Sequence, residues 1–215
     1  MKWLARLIAP GSISDEQAME DGRADGNSAA FALLVSRWEM PIRRLCMRMT
    51  GDAHRAEDLA QETFARVFAR RSSFENGRKF STWVWRIAIN LCLEEGRRRR
   101  LAEKFQLQIA AAPTADQSGR DSTPHQQASE GERAGMVQQA LAALPETQRA
   151  VVVLREFQGL KFREIAQVLE IPEGTAKSRM ADALVELGRM LAPLRDECDE
   201  PAARAAESDT QRIVI

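Results

Sequence analysis

The sequence predicts an all-α protein: two small helical domains joined by a flexible linker, the second containing a helix-turn-helix. Three observations carry that reading. Apolar residues recur at helical spacing over most of the chain. Strand signals are nearly absent, with no alternating β-branched run, no Asn-Gly hairpin and no tyrosine in 215 residues. Between two helical stretches, AAAPTADQSGRDSTPHQQASEGER (Ala110 to Arg133) is rich in Ala, Ser, Gln, Pro and Gly and lacks aromatics. Such a segment cannot bury enough apolar surface to offset the entropy of ordering it. The expected organisation is an N-terminal segment (1–19), a first helical domain (20–105), the linker (106–133), a second helical domain (134–194) and an acidic tail (195–215).

The first residues, MKWLARLIAPGSI, begin like a secretion signal, but Arg6 breaks the apolar run and Pro10 stops it. Trp3, Leu4, Leu7 and Ile8 make at most a weak amphipathic anchor. No stretch approaches the roughly 18 apolar residues needed to span a bilayer, so a soluble cytoplasmic protein is expected. Cys46, Cys92 and Cys198 are far apart and in no CxxC spacing, which suits a reducing compartment. With only His54 and His125 beside them, no metal-ligand spacing can be assembled. No nucleophile constellation or phosphate loop is present either, so neither an enzyme nor a cofactor is expected.

Ser28 to Thr50 reads as one helix or two, interrupted near Pro41, with Phe31, Leu34, Val35, Trp38, Ile42, Leu45 and Met49 on one face. A second helix over Asp52 to Arg70 follows Gly51, has Asp52 as N-cap and turns Leu59, Phe64, Val67 and Phe68 inward. Ser81 or Thr82 caps a third, which runs to the four arginines Arg97–Arg100. Its apolar stripe is Trp83, Val84, Ile87, Ala88 and Leu91. Trp85, Arg86, Ile89, Asn90 and Leu93 flank it, so at least one large side chain should be partly exposed. Past the linker, Phe162 to Leu169 is a short helix with Ile165, Ala166 and Leu169 facing in. Glu170 and Ile171 make a tight turn, and Pro172 opens a helix with Ala176, Met180, Leu184, Leu187 and Leu191 on one face.

Charge is unevenly placed on this neutral chain. Residues 1–105 hold 19 Lys and Arg against 14 Asp and Glu, whereas residues 106–215 hold 12 against 17. The second helix of a helix-turn-helix can enter a major groove and present its first two turns to bases, here Thr175, Lys177, Ser178 and Arg179. A plain helical bundle with a solvated polar face is the competing reading. Trp83 is expected in the core. An exposed aromatic beside Arg86 and Asn90 would suit unpaired bases, which stack on rings while Asn bonds base edges. The arginine run fits either phosphate contact or a solvated basic helix end, where the dipole favours cations. In AEDLAQETFARVF, Asp58 and Glu62 are like charges at i,i+4 with Gln61 beside them. They form either a solvated face or a docking patch for a basic partner.

These segments resemble a known family. AEDLAQETFARVF is similar to the core-binding segment of group-four, extracytoplasmic-function sigma factors of bacterial RNA polymerase, with its pattern D-x-x-Q-E-x-F. FSTWVWRIAINLCLEEGRRRR resembles the family's −10 segment, F-x-x-W-L-x-x-I-A-x-N followed by a basic run. LPETQRAVVVLREFQGLKFREIAQVLEIPEGTAKSR resembles its −35 module, with L-P-x-x-x-R-x-V, G-x-x-x-x-E-I-A and G-T-x-K-S-R. The resemblance covers most of residues 28–191 in family order. It implies that Asp58, Gln61 and Glu62 dock on the coiled coil of the polymerase largest subunit. By the same resemblance, Ser81, Thr82, Trp83, Arg86, Asn90, Arg97 and Arg98 meet the −10 element, and Arg163, Thr175, Lys177, Ser178 and Arg179 meet the −35 element. It also implies control by an anti-sigma partner and no catalytic residue, since the polymerase does the chemistry. Two departures stand out: Asp182 and Leu184 occupy positions the family often fills with arginine, and the family's A-R-N reads Ala88-Ile89-Asn90. Asp182 keeps a second reading open, a sigma-like mimic that sequesters an anti-sigma factor without reading DNA. A stand-alone helix-turn-helix repressor leaves the first domain unexplained.

Overall fold

The computed structural model describes residues 13–24, 28–75, 77–109 and 130–192. Those residues form eight α-helices and no strand. The amphipathic segment at Trp3–Ile8, residues 110–129 of the expected linker and the acidic tail from Asp196 lie outside them.

In the first domain, α1 (Asp15–Ala24), α2 (Ser28–Thr50) and α3 (Ala53–Ala69) lead through a 3-10 turn, Arg71–Ser73, to α4 (Phe80–Ile109). α2 is continuous through Pro41. The hydrogen bond that proline removes is outweighed by packing, since Leu34, Ile42, Leu45 and Met49 are all buried. Gly51 takes φ +74, which turns the chain between α2 and α3. Asp52 then caps α3 as expected, its carboxylate accepting the Arg55 N–H at 3.0 Å. Phe68, expected inward, is 47 % exposed and lies under the Arg71 guanidinium. The buried line on α3 is Ala56, Leu59, Ala60, Thr63 and Val67, and Phe68 sits about 120° around the helix from Ala56.

α4 starts earlier and ends later than its sequence suggests. Neither Ser81 nor Thr82 caps it: Phe80 is already helical, and Glu16 of α1 accepts the Phe80 N–H at 3.0 Å. The helix continues for 30 residues, about 45 Å. The four arginines therefore lie in its interior, about 13 Å short of its end, so the helix dipole does not account for them. Both tryptophans of the third helix are buried, Trp83 at 8 % and Trp85 at 5 % exposure. Of the flanking side chains Arg86 and Leu93 are the large ones left half-buried, and an exposed aromatic beside Arg86 and Asn90 is ruled out by a third tryptophan on α2. Trp38 meets Trp85 edge-on at 5.3 Å, while Trp83 packs against Phe74 at 5.3 Å and Phe80 fills the space between. Cys46 and Cys92 face each other across α2 and α4, with sulfurs 3.7 Å apart. The Cys92 thiol is pushed up in pKa, first by its hydrogen bond to Cys46 and then by burial.

In the second domain, α5 (Glu130–Ala143) starts six residues before Met136. α6 (Glu146–Val152) runs into a π-helical turn, Val153–Phe157, followed by α7 (Phe162–Leu169) and α8 (Glu173–Met190). α7 and α8 form the expected helix-turn-helix. Val168 rather than Ala166 joins Ile165 in the core. On α8 the buried line is Ala176, Met180, Ala183 and Leu187, and Leu184 is 52 % exposed. Ala183 falls about 20° from the direction of Ala176, Leu184 about 80°.

The two domains pack on each other. α2 meets α5, α6 and the π turn, and α4 meets α6 and α7. Arg149 of α6 is the bolt: buried at 7 % exposure, it donates to the carbonyls of Met49 at the end of α2, of Ala142 in the last turn of α5 and of Leu144 just after it. Gln138 donates to the carbonyls of Met47 and Arg48 at 3.3 and 3.4 Å, and the Arg48 guanidinium sits 4.0 Å over the Phe157 ring.

Candidate nucleic-acid and protein interface

Asp58, Gln61 and Glu62 are all exposed on α3, on the side away from its buried line. Glu62 is not a bare charge: Arg66 Nε holds its Oε1 at 2.8 Å, and Arg66 also reaches Glu94 at 3.7 Å. Glu57 beside it pairs with Arg43 at 3.4 Å. Asp58, one turn before Glu62, shares its face. The patch is acidic, exposed and set on a helix anchored by its own N-cap.

The first three turns of α4 carry most of the second group. Ser81, Thr82 and Arg86 are half-buried and Asn90 is exposed, spaced so that Thr82, Arg86 and Asn90 line one face at i, i+4 and i+8. Trp83 sits behind them in the core; it can stiffen this face, and its ring is not open for stacking. Arg97 and Arg98 are exposed, but four successive helical residues fan through about 300° and cannot share one surface. Arg98 is tied to Glu94 at 2.8 Å, Arg99 to Glu103 at 3.4 Å and Arg100 to Glu146 at 2.8 Å. Gly96 makes room for the last of these, because a Cβ there would lie 2.1 Å from Glu146 Oε1.

The third group lies on the helix-turn-helix. Lys177 and Ser178 are exposed, Thr175 and Arg179 half-buried, all in the first two turns of α8. Lys177 pairs with Glu173 at 2.7 Å, and Ser178 Oγ donates to the Thr175 carbonyl at 3.1 Å. Asp182 and Leu184, the departures from the arginine pattern, are both exposed on the same helix. Arg163 lies apart from this group, on α7, where it lines a cleft of about 730 Å³ shared with Thr82, Trp83 and Arg86 of α4.

Two residues of that cleft were not singled out by sequence. Glu164 Oε1 holds Lys79 Nζ at 3.0 Å, and Glu170 Oε1 holds Arg86 at 3.0 Å. Glu164 also accepts the Lys161 N–H at 3.0 Å, and that bond, with Lys79 next, draws its carboxyl below the usual range. The partners are 85 and 84 residues apart, and no local spacing marks such a pair. Among the described residues no group of three or more His, Cys, Asp or Glu could hold a metal ion. No helix there is long and apolar enough to cross a membrane.

The arrangement has counterparts. Residues 34–102 match the model of sigma-70 region 2, and residues 134–187 match that of sigma-70 region 4. The chain is 36 % identical over 159 residues to the extracytoplasmic-function sigma factor SigW of Bacillus subtilis, covering 72 % of this chain and 85 % of that one. It belongs to the extracytoplasmic-function sigma factors of the sigma-70 family. Two solved structures share the fold of this sigma factor. CnrH in complex with the cytosolic domain of CnrY matches with a TM-score of 0.61 and 23 % identity, over 83 % of this chain and 97 % of that one. The sigma factor RpoE in complex with the anti-sigma factor NepR, from Bartonella quintana, matches with a TM-score of 0.59 and 23 % identity, over 75 % and 96 %. In sigma-factor terms, the acidic patch and the α4 face lie in region 2 and the helix-turn-helix in region 4.

Proposed function

We propose that this sigma factor binds core RNA polymerase and directs it to promoters through two modules, residues 20–105 for the −10 element and residues 134–194 for the −35 element. One observation carries the reading: both sigma regions lie in one chain, in order, each with its expected functional face at the surface. Asp58, Gln61 and Glu62 dock on the coiled coil of the polymerase largest subunit, an acidic helix face against a basic partner. Thr82, Arg86 and Asn90, with Ser81 before them, hold the −10 element: the guanidinium meets phosphate and the amide meets a base edge. Arg97 is better placed than Arg98 for phosphate, because Arg98 is already paired. Lys177, Ser178 and Arg179, with Thr175, face the −35 element at the start of α8, where the helix dipole adds to the attraction for phosphate. Arg163, on α7 and apart from them, adds a positive charge on the same helix-turn-helix.

An anti-sigma factor controls this protein in the same reading. The support is the shared fold with RpoE, whose solved structure contains the anti-sigma factor NepR. Asp182 supports the rival reading of a mimic, since a carboxylate on the DNA-facing helix opposes phosphate. Run-off transcription with core polymerase and promoter fragments decides between them. A sigma factor yields specific transcripts; tight anti-sigma binding with no transcript and no polymerase binding overturns the proposal. Asp58→Arg with Glu62→Arg abolishes polymerase binding while helix content stays at the parent level. A double variant that binds core as tightly as the parent refutes the docking assignment.

A further inference from the structure

Where the end of α2, the start of α3 and the middle of α4 meet α6, the domains share a cavity of about 380 Å³, within the roughly 300–1,000 Å³ of small-molecule sites. Its wall carries four guanidiniums, of Arg55, Arg98 and Arg99 from the first domain and Arg149 from the second, against three carboxylates. The carboxylates are already engaged. Asp52 accepts the Arg55 N–H at 3.0 Å, Glu95 lies 3.5 Å from the Arg55 guanidinium, and Glu146 holds Arg100 at 2.8 Å. Arg149 is only partly engaged. It is 7 % exposed, and its bonds go to the neutral carbonyls of Met49, Ala142 and Leu144, so none of them meets a counter-ion. Its Nε–H is buried with no acceptor among the described residues, a costly state for a charged donor. We propose that this cavity binds a small phosphate-bearing anion, of the size of a diphosphate, with Arg149, Arg99 and Arg55 as its cations.

A phosphate group fits that deficit. The guanidinium presents its N–H groups in planar pairs that match phosphate oxygens two at a time, and salt screens a partly buried pair much less than a surface one. The anions that compete for these cations are weakly held. Arg98–Glu94 and Arg99–Glu103 are exposed pairs within one helix, at 2.8 and 3.4 Å, of a kind that contributes little and yields readily to a multiply charged ligand. The local field agrees. Burial first, then Arg99 and Arg100, draw the Arg149 pKa down, with Glu146 opposing them; a bound anion would act in the direction of Glu146. The N-terminus of α3 also opens on the cavity through Asp52 and Arg55, and its dipole adds to the attraction. Because the cations come from both domains, the anion would stabilise the docked pair by mass action. The inference does not depend on the sigma-factor reading.

The test adds pyrophosphate to the isotope-labelled full chain at constant ionic strength and follows the arginine Nε–H signals by NMR. Arg149→Lys identifies the Arg149 signal by its loss. In the parent that signal shifts and saturates at a single bound anion, and the thermal midpoint rises. Arg55→Gln and Arg99→Gln each weaken the affinity about tenfold, the loss expected for one hydrogen bond to a charged group. Both side chains are exposed, so the variants fold as the parent does. Lys104→Gln removes a charge from the same helix outside the cavity and leaves the affinity unchanged. An Arg149 signal that pyrophosphate does not move overturns the proposal and leaves the Nε–H to an ordered water. A shift that Lys104→Gln weakens as much as Arg99→Gln overturns it too, because the effect is then general charge screening. Two further probes separate the sources of phosphate. Inorganic phosphate moves the same signal, whereas a single-stranded oligonucleotide without a terminal phosphate leaves it in place. If the oligonucleotide moves it and pyrophosphate does not, the cavity belongs to the nucleic-acid surface and the small-anion proposal falls.

Discussion

Arg149→Met removes the bolt between the domains while keeping most of its volume. The parent guanidinium, 7 % exposed, donates to three carbonyls, those of Met49, Ala142 and Leu144. Met49 lies in the last turn of α2 and Ala142 in the last turn of α5, so one cation satisfies the open C-terminal ends of two helices from different domains. A hydrogen bond to a charged group contributes about 1.5–3 kcal/mol net. Three would sum to more than is realistic, because burying the guanidinium is itself costly and burial pulls its pKa down. Breaking a buried charged network costs about 3–5 kcal/mol, and the loss on Arg149→Met should fall there. Urea unfolding followed by circular dichroism measures it. The parent should unfold in one transition and the variant in two, because the Met49 bond couples the domains. Arg149→Lys keeps the charge but not the planar fork, and should lose about half as much. A loss below about 1 kcal/mol with a single transition retained would refute the bolt.

Four other outcomes follow from side chains already placed. Trp85→Ala should cost about 3–5 kcal/mol, measured by thermal or urea unfolding, because the ring is buried against Trp38; an unchanged midpoint would mean that the ring is surface-exposed after all. Asp52→Ala should cost about 1 kcal/mol through loss of the α3 cap, again by urea midpoint. Asp52 and Glu164 both have carboxyl pKa values below their ordinary ones, Asp52 chiefly through the Arg55 N–H and Glu164 chiefly through the Lys161 N–H. Their contributions are therefore complete above the unfolded-state value of about 4 and disappear as pH falls through the lower folded values. An acid titration of stability should show this loss below about pH 4, and Asp52→Asn should shrink it. Gly96→Ala should gain up to about 1 kcal/mol of helix propensity in α4 while displacing Glu146 from Arg100. Urea unfolding reads the first effect and a spin-label distance between α2 and α8 the second, and a tighter interface in the variant would contradict the displacement.

Periodicity and caps made most of the helices legible. Asp52, Pro172 and the buried lines through Leu34 and Ile42 are local signals, and local signals survive folding. What escaped were features set at long range. The α4 start was misplaced because its N-terminal acceptor, Glu16, lies 64 residues away. Trp85 looked exposed on a helical wheel because α4 alone gives no sign of Trp38 on α2. Phe68 and Leu184 show the opposite error: each is a large apolar residue next in sequence to a buried smaller one, Val67 and Ala183, and size does not set angular position. The exposed faces at Asp58, Asn90 and Lys177 were legible from motif and spacing together. The pairs Lys79–Glu164 and Arg86–Glu170 were not, because they depend on how two helical domains dock, and no residue near either partner announces the other.

The facing thiols of Cys46 and Cys92 give the protein an internal clock. Both are buried and held between α2 and α4, and an enclosed thiol reacts with no disulfide reagent until those helices part. In a Cys198→Ala background, the modification rate therefore counts the openings of the first domain alone. The same rate measured with residues 134–194 present and removed would show how much the second domain, by clasping the end of α2 through Arg149, slows the breathing of the first.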